Sequence, residues 1–209
     1  MKLPYFLRRS YIACAAAVVA AALSANGFAA PIISFNPVTQ NVNIGDTAVV
    51  ALQISGLTAN TAPALGAWAV NIGFDPAIVA INFLAGDVVF GLGLNPAGEP
   101  PSDQGSNPSG PGVLNLFEVA FADPLVLAGA QGDTFTLATL SFKALAQGVS
   151  PLTAAFTELS DQNGAAITGF QTNTGSIVVG NVIPEPGTAT FAVALVVTAL
   201  TDRRRKSRA

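Results

Sequence analysis

Few side chains in this chain could carry out chemistry, and most of those are carboxylates. Histidine is absent from the 209 residues, which removes the usual general base and the commonest protein ligand for zinc. The only cysteine, Cys14, lies in an apolar N-terminal run, so disulfides and thiolate catalysis are excluded from the rest of the chain. Carboxylates such as Glu118, Asp123 and Glu158 could in principle act as the acid and base of a glycosidase.

A sugar-cleaving pocket would also be expected to contain several aromatic side chains, and these are scarce. Beyond residue 29 the only indole is Trp68, and tyrosine does not occur. Trp68 alternates with Val70 and Ile72, which predicts that it lies in the core rather than on a sugar-binding surface. We therefore predict a protein that is not an enzyme.

Calcium is a weaker possibility, because two short segments could offer carboxylate and amide oxygens. These segments are residues 160–164 (SDQNG) and residues 132–133 (GD). Neither has the carboxylate density or the regular alternation of an EF-hand loop. We predict that both are turns and expect neither a metal site nor a cofactor.

Charge is divided sharply along the chain. Of the nine lysines and arginines, three precede residue 10 and five follow residue 202, so the middle of the chain retains only Lys143 against eleven carboxylates between Asp46 and Glu185. Phosphate binding needs clustered basic side chains, so nucleic acid is not an expected partner. A strongly acidic body fits solubility outside the cell, or association with cations or sugars.

The N-terminus has the three parts of a secretion signal. Lys2, Arg8 and Arg9 form a positive region, residues 13–23 an unbroken apolar run, and residues 27–29 (GFA) a small-residue cleavage site. We predict a signal helix in residues 1–29, with cleavage between Ala29 and Ala30. The alternative is a retained N-terminal anchor, although the run is short for a span of about 20 residues.

The C-terminus, residues 182–209, has the order of a membrane stop. Pro184, Glu185 and Pro186 precede a mostly apolar run over residues 187–201, predicted to be a transmembrane helix. A basic tail follows, made of Arg203, Arg204, Arg205, Lys206 and Arg208. Because basic residues stay on the cytoplasmic side, the chain before Pro184 is expected outside.

These three elements resemble the PEP-CTERM sorting signal of bacterial surface and exopolysaccharide-associated proteins. The resemblance implies recognition by an exosortase, a membrane protease that cuts near the motif and releases the domain to the surface or matrix. The expected location is therefore first the membrane and then the cell surface or extracellular matrix. The alternative is a plain single-pass anchor after a proline-rich hinge.

The body between the two ends is predicted to be all-β. Apolar residues alternate in "TAVVALQI" (residues 47–54) and "AWAVNIGF" (residues 67–74), which is typical of strands with one buried face. Further strands are predicted at residues 32–35, 42–44, 78–84, 113–121, 135–145, 152–156 and 176–179. About nine strands predict an antiparallel sandwich of two sheets.

Two local features interrupt this pattern. In "FTLATLSFKAL" the apolar residues change parity, which predicts a bulge near Ala138. Residues 95–112 are rich in Pro, Gly and Ser and carry no large apolar side chain, so we predict a loop there and no strand. A loop of this length is expected to be either disordered or functional.

The order of motifs in the body resembles the cohesin-type module. The motifs are "NIGDTAVVALQISGL", "LGAWAVNIGFDPAIVAINFLAGDVV", "GDTFTLATLSFKAL" and "TGSIVV", from about residue 32 to residue 179. The resemblance implies a nine-stranded jelly-roll sandwich, related to carbohydrate-binding modules, over residues 30–181. In scaffolding cohesins one sheet face binds a calcium-loaded dockerin, but no dockerin-contact signature is found in this chain.

Two functions follow as expectations. The first is a noncatalytic, exported surface or matrix protein that acts through protein–protein contact, with a dockerin-like protein as a possible partner. The alternative is a carbohydrate-binding module attached to exopolysaccharide.

Overall fold

The computed structural model of the protein describes residues 30–82, 86–96 and 102–180. Within these ranges the chain forms two six-stranded sheets that enclose one apolar core, and a single short helix. None of the helical structure in this part of the chain is long and apolar enough to cross a bilayer. The predicted signal helix and C-terminal helix lie outside the described residues.

The first sheet contains six strands of very unequal length. They are β1 (Ile32–Asn36), β3 (Thr47–Ser55), β5 (Val79–Ala80), β6 (Val88–Phe90), β9 (Thr134–Ala144) and β11 (Gln171–Thr172). The order is β11-β1-β3-β9, and both β5 and β6 pair with β9.

The second sheet is built from longer strands. They are β2 (Thr39–Asn43), β4 (Leu65–Gly73), β7 (Asp103–Gly110), β8 (Val113–Val119), β10 (Gly148–Asp161) and β12 (Gly175–Gly180), in the order β2-β12-β10-β4-β8-β7. Helix α1 (Pro124–Ala130) connects β8 to β9 and begins at Asp123, whose side chain accepts a hydrogen bond from Leu125 N. An aspartate cap followed by proline is a favoured helix start.

The core forms from the alternating residues that the sequence indicated. Every second residue of β3 from Ala48 to Ile54 is buried, and so are Trp68, Val70 and Ile72 of β4. The predicted bulge in β9 is confirmed, because the pairing with β3 shifts by one residue opposite Leu52 and Gln53, at Ala138.

Two parts of the fold prediction were wrong. The described residues contain twelve strands instead of nine, and the three that were not predicted are β6, β7 and β11. Strands β6 and β11 are only two or three residues long, which is too short to show a period. The sandwich is also not purely antiparallel, because β1 pairs with β11, and β2 with β12, in parallel. The parallel β2 arises because the chain leaves the first sheet after Asn36 and enters the second at Thr39.

The prediction that residues 95–112 contain no strand was also wrong. β7 covers Asp103–Gly110 and pairs antiparallel with β8. It is the last strand of its sheet, so Pro108 can lie there without removing a hydrogen bond from a central ladder. The register shift between Pro108 and Gly110 then ends the strand with a bulge.

Candidate functional site

Trp68 lies between the two sheets and not on a surface. Only 1% of the side chain is exposed, and its ring lies 5.9 Å from the ring of Phe90, centroid to centroid. The prediction that Trp68 belongs to the core is confirmed. Trp68 therefore cannot serve as a platform for sugar.

The three candidate carboxylates do not form a common acid–base site. Glu118 is directed into the core and is 1% exposed, whereas the exposed Glu158 pairs with Ala69 on the opposite face of the second sheet. Asp123 caps α1. A glycosidase needs two carboxyl groups facing one bond at a short separation, and this arrangement does not supply them.

Glu118 is nevertheless an unusual residue, because it is an acid among apolar core side chains. The Ser102 hydroxyl donates a hydrogen bond of 2.7 Å to its carboxylate. Burial raises the pKa of Glu118, and the Ser102 bond and the nearby Trp68 indole N–H partly oppose that rise. The indole N–H does not reach hydrogen-bond geometry with any described atom, so we attribute the main stabilisation of the carboxylate to Ser102.

Residues 160–164, the candidate calcium segment, form a turn that the carboxylate of Asp161 stabilises. The Asp161 carboxylate accepts hydrogen bonds from Asn163 N at 2.8 Å and Ala165 N at 2.9 Å. This is the local geometry that favours aspartate in turns. Among the described residues no group of three or more acidic, cysteine or histidine side chains could hold a metal ion.

The most distinctive surface is the outer face of β10, β4, β8 and β7, which we call the amide face. Asn71 and Asn115 lie opposite each other on β4 and β8, and Asn115 Nδ2 donates to Asn71 Oδ1 at 3.0 Å. Asn107 of the edge strand is in register with Asn115 and extends the row. Three amides in one row across the sheet offer uncharged hydrogen-bond donors and acceptors on this face.

An aromatic ring lies beside this row. Phe117 is paired with Ala69 on one side and Gly105 on the other. A Cβ atom on Gly105 would collide with the Phe117 ring, so the ring lies directly against the backbone of the edge strand. Glycine at this position therefore allows the half-buried phenyl ring to lie close against the edge strand on the amide face.

The amide face ends in an exposed apolar patch near α1, which we call the helix-end patch. Its members are all large apolar side chains that water reaches: Val119 (38% exposed), Phe121 (59%), Leu125 (83%) and Val126 (50%). A groove of about 240 Å³ continues from Val119 along the sheet to Glu158 and Asp161. Val119 is the member of the patch that lines this groove, so the groove connects the patch to acidic side chains. Several exposed large apolar side chains in one region are typical of interaction sites.

Sequence reasoning missed Phe117, the asparagine row and the helix-end patch as surface features. The alternation in "AWAVNIGF" placed Asn71 on the outer parity of its strand, which was a usable signal. The row becomes visible only when the register of three strands is known, and β7 had been predicted to be a loop. The described ranges do not include the predicted sorting residues, the basic tail or Ala29. On the other side of the predicted cleavage site, Ala30 is the first described residue, and it is exposed.

The fold is similar to that of several solved cohesin structures. The chain is similar to the cohesin CaCohA2 from Clostridium acetobutylicum, with 22% identity, coverage of 74% of this chain and 94% of that one, and a TM-score of 0.55. The sixth cohesin of Acetivibrio cellulolyticus scaffoldin B, solved in complex with a Cel5 dockerin mutant, is similar at 15% identity, 72% and 99% coverage and a TM-score of 0.57.

A type II cohesin domain from the cellulosome of Acetivibrio cellulolyticus is also similar, at 21% identity, 71% and 94% coverage and a TM-score of 0.56. No protein family and no curated protein matches the sequence. At these identities the likeness establishes the fold, which is a cohesin-like β-sandwich. The fold expectation derived from the motif order is confirmed to that extent.

Proposed function

We propose that this chain is a noncatalytic, exported surface protein whose cohesin-like sandwich binds another protein through the amide face and the helix-end patch. The observation that carries the proposal is the likeness to cohesins, one of which was solved in complex with a dockerin. In this chain the amide face offers a broad area with small side chains, such as Ala69 and Ala155, on which a partner can lie closely.

The chemistry of the patch indicates what the partner must present. Phe121 and Leu125 would bury apolar area, and apolar burial supplies about 25 cal/mol per Å² removed from water. The acidic side chains that line the groove, Glu158 and Asp161, favour basic side chains around that apolar centre. A helical partner with an apolar stripe and flanking Lys or Arg, as in a dockerin-like protein, fits both requirements.

The export part of the proposal rests on the two chain ends. The N-terminal signal would direct residues 30–181 outside, and Pro184, Glu185 and Pro186 with the following apolar and basic residues would hold the protein until an exosortase cuts. The sandwich would then reach the cell surface or matrix. The high net negative charge of the body would favour solubility of the released protein.

The alternative function, carbohydrate binding with exopolysaccharide as the ligand, is favoured by one specific observation. The Phe117 ring packs against Gly105 beside the asparagine row, so an apolar ring and amide groups share one face of the sheet. Flat rings pack on the apolar faces of sugars, and amides bind their hydroxyls. This alternative uses the same face as the protein contact but a different residue, so separate variants distinguish the two functions.

The test uses two double variants of the exported protein. Phe121→Ser with Leu125→Ser removes the helix-end patch, and Val49→Ser with Val89→Ser removes exposed apolar side chains from the first sheet as the matched control. Dockerins and a second copy of the chain are the protein probes, and a glycan array is the sugar probe. Protein binding that only the patch variant loses supports the proposal, whereas glycan binding lost in Phe117→Ala establishes the alternative. Protein binding that both double variants retain contradicts the proposed surface.

A further inference from the structure

The chain leaves the sandwich at a well-defined end. Gly180, the last described residue, accepts a hydrogen bond from Ile44 N at 3.3 Å, and Gly45 N donates to Ala144 O at 3.0 Å. These bonds join the end of β12, the turn between β2 and β3, and the turn between β9 and β10. We call this end, made of residues 43–46, 143–149 and Gly180, the exit tip.

The exit tip presents large apolar side chains to solvent. Three of its large side chains are exposed: Ile44 (40%), Leu145 (48%) and Val149 (57%). It also contains Lys143, the only basic residue between Arg9 and Arg203, whose ammonium group donates a hydrogen bond to Gly45 O. Apolar side chains together with a flexible cation are typical of protein surfaces that rest at a lipid interface.

The carboxylates near the exit tip indicate which lipid headgroups this end could contact. The Asp46 carboxylate accepts a hydrogen bond from Asn43 N, and the Asp75 carboxylate accepts one from Ala77 N. The two carboxylates of Asp46 and Asp75 outnumber the single ammonium group of Lys143, so this end carries a net negative charge. It is therefore not attracted to an anionic membrane. The surface therefore fits a zwitterionic lipid headgroup, which carries both a phosphate and a cation.

The length of chain after Gly180 brings this end close to a membrane. Only residues 181–186 separate Gly180 from the apolar run that starts at residue 187. A fully extended stretch of this length reaches at most about 25 Å. The opposite end of the sandwich lies at the far end of the 14-residue strand β10, about 40 Å away at the rise of a β-strand.

We propose that, before release, the exit tip lies against the lipid surface, with Ile44, Leu145 and Val149 in the interface and Lys143 directed to headgroup phosphates. This inference rests on the proposed C-terminal anchor. It fixes the orientation of the sandwich, because β10 then runs away from the membrane. The helix-end patch, at the other end of the sheet, faces outward and stays accessible to a partner.

The test uses the chain after signal removal, residues 30–209, in phosphatidylcholine vesicles with one reporter at either end of β10. Gln147→Cys and Asn163→Cys are both exposed positions that flank this strand, and each label is unique because the only native cysteine, Cys14, lies in the removed signal. A polarity-sensitive fluorophore is attached, and its quenching by spin-labelled lipid is measured. Cosedimentation with vesicles reports separately whether the chain is anchored.

The expected result is several-fold stronger quenching at position 147 than at position 163. Replacing the three tip residues together, with Ile44→Ser, Leu145→Ser and Val149→Ser, should remove that difference, while the matched variant Val89→Ser, Leu92→Ser and Leu125→Ser should keep it. Equal quenching at both positions in anchored protein overturns the tip contact and leaves the anchor intact. Failure to cosediment overturns the anchor and the tip contact together.

Discussion

At the residue scale, Trp68 is the largest side chain of the core and the most informative one to remove. With 1% of it exposed and Phe90 packed beside it, truncation would leave a large cavity between the sheets. We expect Trp68→Ala to lower the free energy of unfolding by about 3–5 kcal/mol, measured by urea denaturation. Because the indole N–H has no hydrogen-bond partner among the described atoms, Trp68→Phe should cost clearly less. Equal costs for the two variants would contradict this account of the site.

Glu118 gives a prediction about pH with a definite sign. Its pKa is raised in the folded protein, chiefly by burial, so the native state binds the proton more tightly than the unfolded chain does. Its contribution to stability is therefore complete below the unfolded pKa and decreases as pH rises through the raised folded value. Glu118→Gln keeps an acceptor for Ser102 and removes the buried charge.

We therefore expect Glu118→Gln to raise the free energy of unfolding at pH 7, with the gain shrinking as pH falls towards 4. Thermal melts across that pH range measure it. Glu158→Gln is the matched control, because this exposed side chain lies on the outer face and should leave stability nearly unchanged. A gain that is constant with pH would show that titration of Glu118 is not its cause.

At the element scale, the space around a glycine shows how closely neighbouring segments of the backbone pack. A Cβ on Gly66 would collide with the Asp161 carbonyl oxygen and with Gln162 Cα, where the pairing of β4 and β10 shifts register. We expect Gly66→Ala to destabilise the protein by about 1–3 kcal/mol. Gly129 of α1 has open space around it, so Gly129→Ala should instead stabilise by about 0.5–1 kcal/mol. Denaturation midpoints of the two variants that move in the same direction would contradict this distinction.

The sequence predicts the long elements of this fold well and the short ones poorly. Strands β3 and β4 show a clean period of two, and the parity change in β9 marks its bulge, because one face of each is buried. Strand β7 lacks that signal, since it lies at a sheet edge and carries Pro and Gly in place of large apolar residues. The amide face depends on the register of β7, β8 and β4, which local sequence does not encode.

At the scale of the whole molecule, the two ends of the sandwich differ in character. The N-terminal entry at Ala30 and the helix-end patch lie at one end, because β1 starts opposite Ser55 and β8 ends at Val119. The exit at Gly180 lies at the other end, beside Gly148 and Asn43. A tether at Gly180 therefore holds the patch away from the tethering surface. The arrangement would let an anchored protein meet its partner before release.

The proposed release would depend on the segment after Gly180, and Glu185 is the residue that tests this proposal. In the sequence Glu185 lies between two prolines, and because proline disfavours a regular helix we expect an extended stretch that a protease can bind. We expect Glu185→Gln to leave unprocessed protein in the membrane fraction of cells that contain an exosortase, as measured by fractionation and intact mass. Asp202→Asn, a carboxylate outside the Pro-Glu-Pro motif, should be processed normally. Equal release of the Glu185→Gln variant and the parent protein would contradict a sorting role and would favour a plain membrane anchor.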